Sequence, residues 1–445
     1  MSRDKVYKVL CNYSITEDNV PRRRFFKQIL GGAGAVLTLS QSGCSSDDPV
    51  ASLKGAVESG NVNESKLWEQ VRQLFPVSGG LIMLNAANLC PSPYPVQKAV
   101  FDYTRNVDSD PSFPNRAKFN DLRNDSIGML AEYLGAETNE IALTRNTSEG
   151  NNTVINGIVF DRGDEVVIWD QNHPTANIAW DVRAERYGFS VIRVSTPVKP
   201  QNREDLIKPF TDAFTRRTKA VAFSHVSNIS GIALPAKDLC NAARENNTLS
   251  LVDGAQTFGV ENINLHDMGC DFYTGSSHKW FCGPKEVGVL YVRRDRCDQL
   301  YPSVVGVGWE RAVNSGAGKF ETLGQRDDSR IAAMKTAVEF HNSIGKKKVE
   351  ARTRELAALI KSELRRKLPG VDFHTPEDTG LCSGVVVFTH NTANMSDAML
   401  RLYRDHRVGC AVMGGTFAGI RFSPHIYNNE EQIEKAVDAV TEIVG

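Results

Sequence analysis

Leu249-Ser250-Leu251-Val252-Asp253-Gly254-Ala255-Gln256 is the stretch on which the fold turns: a short apolar run that stops on a carboxylate, a glycine and an amide. A run of this kind, cut off by turn formers, reads as a strand buried on both faces. Similar runs flank it at Glu140-Leu143, Val166-Trp169, Val191-Val194, Ala220-Phe223 and Gly288-Val292, with helical patterns between them. Strands that alternate with helices at this spacing predict an α/β architecture, a mostly parallel sheet covered on both sides. Such sheets hold ligands just beyond the carboxyl ends of their strands, so the residues that follow each run are the ones to read for chemistry.

Further along, the pattern changes. From about residue 306 a glycine-rich connection (Gly306, Gly308, Gly316, Gly318) leads into a long charged helix, Ile331 to Leu368. A strand at Val385-Phe388, a helix near Ser396-Asp405, strands at Val408-Val412 and Ile420-Ser423, and a helix from Glu430 to Val444 follow. This predicts a smaller α+β domain over 306–445, after an N-terminal segment and large domain over 66–305. Asn429 before two glutamates is a helix start.

The 445 residues carry 52 Lys+Arg against 53 Asp+Glu, a net charge of −1, which leaves no basic surplus for nucleic acid or anionic lipid. With 41% hydrophobic and 24% charged residues the composition is that of a globular protein rather than a disordered or multi-span membrane chain. The nine cysteines include no C-x-x-C pair, so neither a zinc ribbon nor a disulfide framework is indicated, and no metal is expected. Cys240, Cys270, Cys282, Cys297, Cys382 and Cys410 sit mostly in apolar sequence, as buried thiols do.

The strand ends carry an ordered set. Thr144-Arg145-Asn146-Thr147-Ser148-Glu149-Gly150 offers hydroxyls and free backbone N–H groups at a helix start, which suits phosphate or merely a helix cap. His173 follows the second run, within Asp170-Gln171-Asn172-His173-Pro174, where it could stack on a flat ring or simply bond within its loop. Asn228 lies beyond Ala220-Phe223, in Ser224-His225-Val226-Ser227-Asn228. Asp253 at a sheet edge could keep a heterocyclic nitrogen protonated, a pairing worth about 4 kcal/mol at roughly 4 Å and an effective dielectric near 20. Beyond it stand Ser276-Ser277-His278-Lys279-Trp280 and Gly283-Pro284. A lysine among aromatic neighbours has its pKa lowered by desolvation, as a nucleophilic amine requires. Arg421 completes the set from the C-terminal region.

Residues from about 80 to 445 resemble the class V aminotransferases of pyridoxal phosphate (PLP) fold type I, the group that contains cysteine desulfurases and isopenicillin N epimerase-like enzymes. The resemblance rests on Thr-Arg-Asn-Thr-Ser-Glu-Gly (144–150), Val-Asp-Gly-Ala-Gln (252–256), Ser-Ser-His-Lys-Trp-Phe-Cys-Gly-Pro (276–284) and Gly-Ile-Arg-Phe-Ser-Pro-His-Ile-Tyr-Asn (419–428). It implies a large domain built on a seven-stranded type of sheet plus a smaller C-terminal domain, and a homodimer. It also implies that Lys279 carries the cofactor and acts as base, that Asp253 pairs with the ring nitrogen, and that Gln256 bonds the ring hydroxyl. His173 would stack on the ring; Thr147, Ser148, Ser276 and His278 would hold the phosphate; Asn228 and Arg421 would grip the substrate carboxylate. The expected reaction is transamination or a related deamination of an amino acid or a peptide-linked amino acid, with epimerisation and C–S lysis as alternatives on the same fold. Two departures stand out: Gly324-Gln325-Arg326-Asp327 occupies the segment where relatives carry Gly-Thr for an intersubunit phosphate contact, and Cys410 lies in an apolar run unlike a desulfurase's mobile nucleophile.

A different class also has a motif, since Ser276-x-x-Lys279 fits the pattern of penicillin-recognising serine enzymes. No K-T-G triplet accompanies it, and Gly283-Pro284 interrupts the helix that reading needs.

The N-terminus reads as a leader over 1–44. Arg22-Arg23-Arg24-Phe25-Phe26-Lys27, then a weakly apolar run to Leu39, resembles a twin-arginine signal. Ser42-Gly43-Cys44 resembles a lipoprotein processing site, with Gln41 where that pattern prefers Leu, and residues 45–65 read as a tether. The expectation is passage through the twin-arginine translocase to the periplasm, with Cys44 as a lipid anchor. Similar exported PLP enzymes tailor peptide siderophores such as pyoverdine.

Overall fold

The computed structural model describes residues 49–58, 63–390 and 394–445. After a two-residue strand, β1 (Ile82–Met83), the chain builds a central sheet from β2 (Ile141–Thr144), β3 (Glu165–Trp169), β4 (Ser190–Val194), β5 (Thr218–Ser224), β6 (Leu249–Asp253), β7 (Phe272–Ser276) and β8 (Gly288–Val292). These seven strands run in the order β2-β8-β7-β6-β5-β3-β4. The five from β7 to β4 are parallel, and β8 is antiparallel to both β7 and β2. The architecture is therefore the expected α/β one, mostly parallel.

Both faces of this sheet are buried, and the residues alternate between two cores. Val167, Val221, Phe223, Val252, Tyr273 and Val289 join one cluster, while Val166, Ile168, Ala220, Ala222, Leu251 and Leu290 join the other. That is the period of two that a strand imposes. Full burial of each Val, Leu, Ile or Phe contributes about 1.5–3 kcal/mol, so the sheet is a stiff platform for whatever its ends carry.

The strand β7 was not anticipated from sequence. Phe272-Tyr273-Thr274-Gly275-Ser276 mixes polar and small residues, yet it lies between β6 and β8 with all five residues buried. Gly275 is required there, because a Cβ would come within 2.8 Å of Phe258. The close approach of the Phe258 ring, rather than strand propensity, selects the residue.

Toward the C-terminus the strands β9 (Asp372–Phe373), β10 (Val386–Thr389), β11 (Val408–Gly409), β12 (Ala411–Met413) and β13 (Gly419–Phe422) follow. Four of them form an antiparallel sheet ordered β12-β13-β10-β9, and β11 instead pairs in parallel with β1. This smaller domain packs its own core, including Leu356, Ile360, Val386, Ile420, Phe422 and Val437. Three expectations are corrected. The span 45–65, read as a tether, contains the helix Pro49–Glu58, whose Leu53 is buried in a core cluster with Leu67 and Phe340. The single helix Ile331 to Leu368 is two helices, Asp328–Ile344 and Lys346–Lys367, because Gly345 takes φ +92°, a conformation that side-chain-bearing residues avoid. The single strand Val408-Val412 is β11 and β12, with Cys410 between them where the chain leaves one sheet for the other. The final helix Glu430–Val444 starts at Asn429 with a reciprocal capping box to Gln432.

Candidate active site

Two adjacent strand ends and one helix start make the first half of the site. The helix Thr147–Gly157 is capped by Asn146, whose side chain accepts from the Glu149 N–H at 3.0 Å. Ser276, the last residue of β7, meets this helix: its hydroxyl accepts from the Thr147 backbone N–H at 2.8 Å and lies 2.7 Å from the Thr147 hydroxyl. Both are buried, while Ser148 is exposed. A helix N-terminus lined with hydroxyls attracts an anion.

Asp253 ends β6 in register with Ser224 and Thr274 of the neighbouring strands. Its Oδ1 accepts from the Ala255 N–H at 2.9 Å and its Oδ2 from Asn151 Nδ2 at 2.8 Å. No cation pairs directly with this buried carboxylate among the described residues. Gln256 is also buried, and its amide is largely committed: Trp280 Nε1 donates to its oxygen at 2.7 Å, and its nitrogen donates to the Ala87 carbonyl at 3.0 Å. One N–H remains for a ligand.

His278 and Lys279 follow β7 in a turn, not a helix, so Ser276 and Lys279 do not share a helical face. The serine-enzyme reading loses its geometry, and the Ser276 hydroxyl is already engaged by Thr147. Burial lowers the Lys279 pKa, and the nearby Arg421 guanidinium pushes the same way against Asp253. Burial, with the charges of Lys279 and Lys285, takes His278 down to about 4. His173 caps the helix Pro174–Tyr187, its Nδ1 accepting from the Thr175 N–H at 3.3 Å, and the residue as a whole keeps part of its surface open to solvent. Burial by its surroundings and the Lys279 charge lower its pKa, Asp253 opposes them, and Arg421 adds to the lowering. His173, Asp253, Lys279 and Arg421 are thus close enough to bias one another.

From the smaller domain, β13 supplies Arg421, only 4% exposed. It donates to the Asn228 carbonyl at 3.0 Å and to Asn85 Oδ1 at 2.9 Å, with no carboxylate partner among the described residues. Burial brings its pKa down to about 10. An unpaired buried guanidinium is a receptor for a carboxylate. The Asn228 contact is through the backbone, and its side chain makes no hydrogen bond within the described residues. Cys410 is close to Arg421, but burial raises its thiol to about 12.

Of the ten residues singled out from sequence, Thr147 and Ser276 meet through their hydroxyls, Arg421 reaches the Asn228 carbonyl, and His173, Asp253, Lys279 and Arg421 share one electrostatic neighbourhood. Three partners were missed: Asn151, Thr274 and Trp280. Asn151 stands four residues after Thr147 on the same helix, a spacing that puts both on one face and could have revealed it. Trp280 was quoted only as Lys279's apolar neighbour. Gln325, at the expected intersubunit segment, accepts from Arg116 at 2.8 Å within this chain. Among the described residues no group of His, Cys, Asp and Glu is arranged to hold a metal ion.

The residues fit PLP: an anion cup at a helix start, a buried carboxylate without a cation, and a desolvated lysine within reach of that carboxylate's charge. Comparison with known proteins agrees. The chain is 30% identical over 394 residues to isopenicillin N epimerase of Amycolatopsis lactamdurans, covering 84% of this chain and 98% of that one. It is 26% identical to a probable cysteine desulfurase of Methanothermobacter thermautotrophicus, covering 85% and 98%. Among solved structures it superposes on a C-DES mutant with glycine covalently linked to the PLP cofactor, at TM-score 0.77 and 21% identity, covering 84% of this chain and 99% of that one. It also superposes on the apo cysteine desulfurase of Thermococcus onnurineus, at TM-score 0.76 and 24% identity, with 84% and 98% covered. A model of the aminotransferase class-V family matches residues 95–436, and the chain belongs to that family, as a PLP-dependent enzyme of fold type I.

Proposed function

We propose that the enzyme moves the Cα proton of an amino acid, free or peptide-linked, in a transamination or related deamination. The observation that carries this reading is a buried Lys279 with its pKa lowered, within the electrostatic reach of a buried Arg421 that has no carboxylate partner among the described residues. Bound PLP supplies an electron sink for the charge left at Cα. Lys279 would take that proton as base and return it as acid. Arg421 holds the substrate carboxylate and so sets which Cα bond is presented to the cofactor. Asp253 would keep the ring nitrogen protonated, the remaining Gln256 N–H would serve the ring hydroxyl, and His173 would cover the ring. Thr147, Ser148, Ser276 and His278 hold the phosphate, the last as a neutral ring.

Epimerisation is the second reading, favoured by the isopenicillin N epimerase relatives in Amycolatopsis lactamdurans and Streptomyces clavuligerus. Persulfide chemistry is disfavoured by Cys410, whose protonated thiol is a poor nucleophile. A screen of amino donors in D2O, read by mass spectrometry and chiral chromatography, separates the outcomes. Keto-acid product supports transamination or deamination; inverted, deuterated substrate supports epimerisation; sulfur release overturns both.

Export rests on residues that lie outside those the structure describes, Arg22-Arg23 and Cys44 among them. The reading is passage through the twin-arginine translocase to the periplasm, a lipid anchor at Cys44, and a peptide siderophore as the substrate class. Replacing Arg22 and Arg23 with Lys is expected to hold folded protein in the cytosol, and unchanged periplasmic recovery contradicts it. A homodimer is the expected assembly, and sedimentation of the holoenzyme tests it.

A further inference from the structure

Asp253 is aligned by a chain of side chains from two neighbouring elements. Asn151, on the helix Thr147–Gly157, donates Nδ2 to Asp253 Oδ2 at 2.8 Å, and its own Oδ1 accepts from Thr274 Oγ1 of β7 at 2.7 Å. Thr274 is 0% exposed and Asn151 4%, so water does not substitute for either. The order of donors fixes the amide. If Asn151 turned over, its oxygen would face the carboxylate and the Thr274 proton would lose its acceptor, leaving two oxygens opposed in a buried site. Gly150 permits the arrangement: a Cβ there would stand 2.9 Å from Thr274 Cγ2 and push helix and strand apart.

We propose that Asn151, oriented by Thr274, is a positioning residue for the cofactor. It holds Asp253 in one rotamer and occupies one lone pair on Oδ2, while Ala255 N–H occupies one on Oδ1. A carboxylate has about four acceptor directions, and those left over serve the protonated ring nitrogen. The inference rests on the pairing of Asp253 with that nitrogen.

The test measures PLP affinity of the apo-enzyme, and the pH titration of the bound cofactor's absorption, in Asn151→Leu, Thr274→Val, Asp253→Ala and the double variant Asn151→Leu/Asp253→Ala. Asn151→Leu is expected to weaken PLP binding by about tenfold or more, since it removes a hydrogen bond to a charged group. Thr274→Val, the near-isosteric variant that keeps the fold if Asn151→Leu does not, is expected to weaken it in the same direction by about threefold. Both are expected to displace the cofactor's pH titration, which a general loss of stability does not do. Because Asn151 acts through Asp253, Asn151→Leu is expected to cost nothing further in the Asp253→Ala background. Wild-type affinity and titration in Asn151→Leu and Thr274→Val, with a clear loss in Asp253→Ala, overturns the positioning role alone. An unchanged Asp253→Ala overturns the pairing of Asp253 itself and the inference with it. Full additivity in the double variant overturns the proposal by making Asn151 structural.

Discussion

Arg352 in the helix Lys346–Lys367 and Arg421 in β13 are equally buried, each 4% exposed, and their surroundings differ completely. Arg352 donates to Glu355 at 2.8 Å and to Glu430 at 2.6 Å, and its guanidinium lies 5.7 Å from the centre of the Trp68 ring. Burial alone would lower its pKa, but those two glutamates outweigh it and raise it. Arg421 has only a carbonyl and an amide oxygen, and its pKa falls to about 10. The pair shows how a structural cation differs from a receiving one. The first has its counter-charge within the chain; the second is held by neutral oxygens that orient it and leave its charge for a ligand.

Breaking that comparison is the largest effect expected. Arg421→Ala should lower kcat/KM for substrates with an α-carboxylate on the order of a hundredfold or more, with the cofactor still bound. Arg421→Lys keeps the charge but loses the two-pronged donor, and a fall of about tenfold is expected. Steady-state kinetics beside the cofactor's absorption reads both. Wild-type kinetics removes Arg421 from the site, whereas lost cofactor makes it structural.

The same substitution at Arg352 should do the reverse. Arg352→Ala is expected to leave kcat/KM unchanged and to cost about 1–2 kcal/mol in denaturant unfolding, a modest figure because both glutamates are more than half exposed to water. A kinetic defect without a stability loss would contradict the contrast.

A pH effect sharpens the comparison from the side of groups kept neutral. His341 and His425 are fully buried; burial takes them to about 4 and about 3, opposed by hydrogen bonds to the Phe281 and Trp280 carbonyls. Both folded values lie below the ordinary histidine value near 6.5, so below that pH the unfolded chain binds more protons. Stability from these groups is therefore complete above about pH 6.5 and falls as pH drops toward 4, by up to about 1.4 kcal/mol per histidine per pH unit. Urea unfolding midpoints across this range test it, and a flat profile between pH 6.5 and 4 contradicts it.

The smallest effect belongs to Cys410, the neighbour that bears on Arg421 without pairing with it. Cys410→Ser should leave turnover within about twofold of wild type, as a partly buried thiol held protonated predicts. Abolished turnover, with persulfide on Cys410 in the wild-type protein, would move the reaction to C–S chemistry.

Much of this was legible in the sequence because the sheet is buried on both faces. Apolar runs such as Val166-Trp169 and Gly288-Val292 mark its strands to within a residue or two, and Asp253 closes one of them, Leu249–Asp253. Phe272–Ser276 escaped because a central strand can use Thr, Gly and Ser when tight packing rather than hydrophobicity selects them. The break at Gly345 escaped because a single glycine inside a charged helical pattern does not announce its φ. Asn151 and Trp280 act through partners distant in sequence, as Asp253 to Asn151 and Gln256 to Trp280 show. Only tertiary packing brings such pairs together.

The most direct test of the account asks which lysine carries the cofactor. The holoenzyme is reduced with borohydride, digested, and mapped by mass spectrometry. The account predicts the cofactor fixed to Lys279 alone, and no such label in Lys279→Ala. Label on another lysine, with Lys285 the half-buried neighbour to watch, would contradict it.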